Sequence, residues 1–136
     1  MVTSVRISNQ LLSNLQRLPD EIMRKVKAEV IETALVDIET PAKQQCRVLT
    51  GRLRSSIHTK YETKNTSYTS QDNDGKTYDD TIKENPIDKK TKFTCIVGSN
   101  VEYAQKIETL DKFLQKPFIQ AKPRLKRRIK EIIKGL

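Results

Sequence analysis

The chain has 136 residues, enough for a single domain spanning 1–136 that buries roughly two-thirds of the surface its unfolded form would expose. Hydrophobic residues make up 35% and charged residues 32%, which excludes a membrane-spanning or largely disordered chain and leaves a globular one with a modest core. Two cysteines exclude a disulfide framework, and with no signal-peptide pattern we expect a protein made in a cytoplasm. The formal charge of +9 is uneven: residues 1–62 carry +3, residues 63–91 carry −1 and residues 92–136 carry +7. That distribution points either to a polyanion partner or to a solvated helix face near the C-terminal end.

Val2 to Ile7 alternates as a short strand, and Leu11, Leu12, Leu15 and Leu18 recur at helical spacing until Pro19 breaks the pattern. Asp20 reads as an N-cap, with Glu21 near the positive end of the following helix. Met23, Val26, Val30, Ala34 and Ile38 then step by three or four, widened by Ile22, Ile31 and Leu35 into the stripe of a long packing helix. Thr40-Pro41 predicts a kink, with Thr40 capping a second segment that runs through Cys46 to Thr50-Gly51.

Gly51 reads as a helix stop at positive φ followed directly by a strand. Thr50 can bond a neighbouring backbone group, Leu53 can cover the turn, and Arg52 and Arg54 are expected to point away. From Ser55 the period is two: Ile57, Thr59, Tyr61 and Thr63 share one face, while Ser56, His58, Lys60 and Glu62 share the other. The strand is therefore expected to be packed on one side only.

Residues 65–90 are polar, and Asn73-Asp74-Gly75 is a turn signal that would join Thr66–Gln71 to Lys76–Ile82 as a protruding hairpin. A mobile loop that gains order on assembly fits the same composition equally well. Asp72, Asp74, Asp79 and Asp80 lack the EF-hand spacing because Gly75 falls too early, so no metal site is expected.

Lys92 to Gly98 returns to strand character, with Phe93, Cys95 and Val97 on one face. Gly98 is read as permitting a turn, and Asn100 as capping a short helix that runs toward Leu110. A final helix over 117–135 follows from Phe118, Ala121, Leu125, Ile129 and Ile132, with Pro123 in its first turn and Gly135 as its stop. It leaves Lys122, Arg124, Lys126, Arg127, Arg128, Lys130 and Lys134 outward. No aromatic residues interleave with them, so phosphate attraction is signalled and base stacking is not. The fold class that results is α+β, a long kinked helix and the C-terminal helix packed on one face of a small antiparallel sheet.

Little in the sequence points to catalysis. His58 is the one imidazole and falls on the polar strand face, as a surface side chain. No glycine-rich phosphate loop, HExxH, CxxC or serine elbow is present, so neither an enzyme nor a cofactor is expected. Cys46 and Cys95 read as small buried hydrophobes.

Three stretches in order are more specific together than apart: Leu49-Thr-Gly-Arg-Leu-Arg-Ser-Ser-Ile57, Val97-Gly-Ser-Asn-Val-Glu-Tyr-Ala104 and Lys116-Pro-Phe-Ile119. Together they resemble the tail-completion or head-tail joining proteins of long-tailed bacteriophages, over the chain from about Glu21 to Ile133. Thr50, Gly51, Arg52, Leu53 and Ile57 match the first family motif, Glu102, Tyr103 and Ala104 the second, and Pro117 with Phe118 the third. The chain departs from the family at Arg47-Val48-Leu49, where a proline is common, and at Ile107-Glu108-Thr109-Leu110, where a Glu-aromatic-Gly-Thr run is common.

The resemblance implies a virion protein of the neck, assembled in the host cytoplasm into a homo-oligomeric ring, with a hexamer as the expected size. Its partners would be a head connector or adaptor protein on one side and a tail terminator or tail tube protein on the other, without membrane contact. Packaged DNA passing the ring would give Lys122, Arg124, Lys126, Arg127, Arg128 and Lys130 a DNA-facing role. The alternative is a small basic nucleic-acid-binding protein, supported by net charge and the final helix. A toxin-like ribonuclease using His58 is a third reading.

Overall fold

Two apolar helix stripes and one strand buried along its whole length determine how the chain packs. The computed structural model describes residues 3–9, 19–48, 51–61, 67–89 and 92–134. The expected helix at 11–18, Thr50, Thr63 and the Gly135 stop lie outside the described residues. Strand β1 (Thr3–Ser8) precedes α1 (Asp20–Glu32), which runs without a break through a wide π turn (Thr33–Glu39) into α2 (Thr40–Gln45). A short α3 (Arg52–Ser56) leads to β2 (His58–Lys60), the β3–β4 ribbon (Thr69–Gln71, Thr77–Asp79) and β5 (Thr94–Ser99). Helices α4 (Ala104–Asp111) and α5 (Gln115–Lys134) complete the chain.

The main sheet is antiparallel with order β1-β5-β2. Thr3 lies opposite Ser99 on one side of β5, and His58 opposite Gly98 on the other. Every residue of β5 is buried. On one face, Ile7, Cys95 and Val97 meet Val26, Val30, Ala34 and Ile38 of the long helix and Ala121, Leu125 and Ile129 of α5. This is the expected α+β arrangement, each stripe being sealed against the sheet and against the other helix.

The opposite face is covered too, which corrects the one-sided packing expected of β2. His58, Lys60 and Ile96 are buried there beneath Ile82 and the ribbon. A polar strand face could be buried because its polar atoms find partners: the Lys60 ammonium donates to the Ile82 carbonyl at 3.0 Å and to Asn85 Oδ1 at 3.2 Å.

Other boundaries moved for local reasons. The residue before α1 is Pro19, and Asp20 and Glu21 occupy its first turn. Pro41 offers no N–H and its ring crowds the carbonyl four residues back, and the discontinuity takes the form of the π turn. Both the N–H and the hydroxyl of Thr40 donate to the Leu35 carbonyl, five residues earlier.

Gly51 does adopt positive φ, +86°, but it opens α3 instead of ending a helix before a strand. Ser55 N–H closes back onto the Gly51 carbonyl at 3.0 Å, and the strand waits until His58. Gly98 makes no turn. It sits inside β5, where a Cβ would lie 2.2 Å from the Thr3 carbonyl oxygen and 2.7 Å from Ser4 Cα, so its bare backbone lets β1 close onto the sheet.

The turn that follows is made by Ser99, whose Oγ accepts the Val101 N–H at 3.1 Å, while Asn100 donates to the Thr81 carbonyl. Tyr103, not Asn100, precedes α4. Helix α5 begins two residues earlier than expected, which places Pro123 in its interior. Its start is capped from a distance by the Glu108 carboxylate, which accepts the N–H groups of Leu114 at 3.1 Å and Gln115 at 2.8 Å.

Candidate functional site

The polar segment after β2 is a ribbon laid back onto the body of the protein. Asp72 builds its turn by accepting the N–H of Asp74 at 3.0 Å and of Lys76 at 2.9 Å, and Gly75 supplies φ +86°. Of the two forms the composition fitted, residues 67–89 show the hairpin, with Thr69–Gln71 paired to Thr77–Asp79.

The latch lies where α3 meets this ribbon. Arg52 donates two hydrogen bonds to the Asp80 carboxylate, at 3.1 and 2.7 Å, and the guanidinium stacks over Tyr78 with its centre 4.0 Å from the ring centroid. Asp80 is 1% exposed and also accepts from the Ser70 hydroxyl. Burial alone would raise its carboxyl, but the Arg52 and Ser70 hydrogen bonds and the Arg52 charge outweigh that and hold it below the usual carboxylate range. Arg52 therefore does not point away, and neither does Arg54, which donates to the Cys46 carbonyl at 2.9 Å. The ribbon is fastened again where Tyr68 Oη donates to the Ser55 carbonyl at 2.7 Å and Gln71 N–H donates to Ser55 Oγ at 2.9 Å.

His58 is no surface side chain. It is 7% exposed and stacked on Tyr68, with ring centroids 3.9 Å apart and planes 6° from parallel. Nδ1 lies 2.7 Å from the Ser56 carbonyl and Nε2 accepts the Ile82 N–H at 3.3 Å, which assigns a neutral ring with the proton on Nδ1. Burial lowers its pKa from 6.5. With both nitrogens held by backbone, the ring acts as a wedge between β2 and the ribbon. An adjacent cavity of about 230 Å³ is bordered by Thr59, Tyr61, Ser67 and Thr81.

The three motif stretches divide between core and surface. Leu53, Ile57, Ala104 and Pro117 are buried, Tyr103 and Phe118 pack half-buried against the core, and Glu102 is exposed. The first two stretches touch directly, Ser56 Oγ lying 2.6 Å from Ser99 Oγ. Cys46 and Cys95 are buried free thiols, pushed up by burial to about 11 and about 12 respectively.

The basic helix is not a uniform face. Asp37 in the π turn accepts from Arg128 at 2.8 Å and lies 3.9 Å from Arg124, so two of the expected outward cations turn toward the body. Lys122, Lys126, Arg127 and Lys130 are exposed. Four features were missed in the sequence: the Arg52–Asp80 latch, the Asp37 clamp, the Glu108 cap and a bidentate Arg47–Asp111 pair at 2.7 and 2.5 Å. Three of them join residues 28 to 91 positions apart, beyond any local pattern. For Glu108, the signal available was an acidic residue shortly before a helix start.

Among the described residues, no group of three His, Cys, Asp or Glu side chains could hold a metal ion, and no helix is long and apolar enough to cross a membrane. No family model, curated protein or solved structure matches the chain.

Proposed function

We propose that the chain is a structural protein of a tailed-phage virion, a tail-completion or head-tail joining protein that forms a ring with copies of itself between the head connector and the tail tube. The observation that carries this reading is the convergence of the three resembling stretches. The buried Ser56–Ser99 contact joins the first to the second, and Leu53, Ile57 and Ala104 share one core cluster with Phe118 of the third packed against it. Such positions specify a framework and present no reacting group, as a scaffold requires. The latched ribbon adds a shaped polar surface, suited to contacts with neighbouring subunits.

Electron microscopy of lysates from a phage or induced prophage that lacks this gene tests the proposal. DNA-filled heads lying beside separate tails, restored to whole particles by adding the purified protein, are the expected result. Joined particles in the deletion lysate overturn it.

A further inference from the structure

Helix α5 sorts its cations into two sets. Arg124 and Arg128 reach Asp37, and Arg128 also donates to Thr33 Oγ1 at 3.4 Å. Lys122, Lys126, Lys130 and Lys134 instead recur every fourth residue and are all exposed, so they line a single inclined row on the helix surface. At 1.5 Å per residue the row is about 18 Å long. Arg127, also exposed, stands beside it, and Glu131 is the one acidic residue on the helix. Among the described residues no ion pair or hydrogen bond engages Lys126, Arg127, Lys130 or Lys134, while Lys122 lies over the Phe118 ring at 4.3 Å.

We infer that this lysine row is a docking face for the phosphate backbone of double-stranded DNA. Like charges four residues apart repel one another, so the row is relieved by an anion that is itself extended. A lipid surface fits less well, because Ala121, Leu125 and Ile129 are sealed in the core and a single exposed large apolar side chain, Ile119, is left on the helix to insert. Single-stranded nucleic acid fits less well too, because among the described residues the ring beside the row, Phe118, is half-buried and covered by Lys122. Lysines present point charges without a base-reading fork, so the binding is independent of sequence. The inference rests on the helix face alone and survives or fails separately from the neck role.

The test is fluorescence anisotropy of the purified full chain with a duplex of about 20 base pairs of arbitrary sequence, between about 50 and 200 mM salt. Five phosphate contacts give a log–log slope of about −4.5, a loss of roughly 500-fold in affinity over that range. The triple variant Lys126→Gln, Arg127→Gln, Lys130→Gln drops the slope to about −2, while Arg128→Gln keeps that of the parent. Circular dichroism checks that the triple variant is folded, and Lys130→Gln alone, expected to lower the slope by about 0.9, serves if it is not. Absence of duplex binding at the lowest salt, an unchanged slope in the triple variant, or binding to phosphatidylserine-containing vesicles in preference to the duplex overturns the inference.

Discussion

Replacing Asp80 with asparagine keeps the shape of the side chain and removes the charge that fastens the ribbon. Stripping one partner from a fully buried ion pair costs about 3–5 kcal/mol. Here Asp80 is 1% exposed but the Arg52 side chain is 22% exposed and can turn to water, which lowers the expected cost to about 2–3 kcal/mol. A two-stranded ribbon is marginal without a surface to lie on, so this cost appears as opening of the ribbon and not as unfolding of the whole domain. Native-state hydrogen exchange reads it residue by residue. The Gln71 amide, bonded to Ser55 Oγ, and the Asp72 amide, bonded to the Lys76 carbonyl, are expected to exchange roughly 30- to 150-fold faster in Asp80→Asn. Amides of β5 are expected to keep their rates. Unchanged exchange at Gln71 and Asp72, or a parallel rise across β5, would refute the idea that the Arg52–Asp80 pair latches a separately opening unit.

Gly98→Ala is expected to cost about 3 kcal/mol or more, because the new methyl meets β1 backbone that cannot rotate aside; a denaturation midpoint close to that of the parent would contradict the close approach. Stability is also expected to fall between pH 7 and pH 5 through His58. Its folded pKa lies below 6.5, so the unfolded chain binds the proton first, and the stabilisation present above 6.5 is lost as pH falls through the lowered value. Lys43 and Lys60 add to that lowering, while Asp80 and the Ser56 hydrogen bond oppose it. Urea midpoints measured across this range should decline for the parent and stay level for His58→Gln; a level parent profile would remove His58 as the cause.

What the sequence revealed followed its periodicities. The stripe from Met23 to Ile38 and that from Phe118 to Ile132 were legible because a helix repeats its inward positions locally, and Asn73-Asp74-Gly75 because a hairpin turn needs those residue types at adjacent positions. His58 and Lys60 were misread because alternation shows which residues share a face, not whether a distant segment will cover it. The segment that covers them is mostly polar, and the side chains that do the covering, Tyr68 and Ile82, are isolated among polar and charged residues. Gly98 was misread for a related reason. A glycine for close approach and a glycine for a turn look the same until the strand beside it is known. The candidate basic face was legible as composition, and its division between Asp37 and solvent was not.

That division is set at the turn that precedes Pro41. Pro41 has no N–H to offer the helix, and the chain ahead of it widens to bonds spanning five residues over Thr33–Glu39. A wider turn changes the angular phase of every side chain it carries, and Asp37 emerges from it against α5 with a side chain only 9% exposed. Two arginines one turn apart, Arg124 and Arg128, approach this single carboxylate, at 3.9 and 2.8 Å, while the buried Ala121, Leu125 and Ile129 hold the rotation of α5 about its axis. With that rotation fixed, Leu125 and Ile129 face the sheet, and the row from Lys122 to Lys134 faces solvent. The cations of the basic helix are therefore of two kinds: two arginines lie against Asp37, and the lysines from Lys122 to Lys134 stay in solvent.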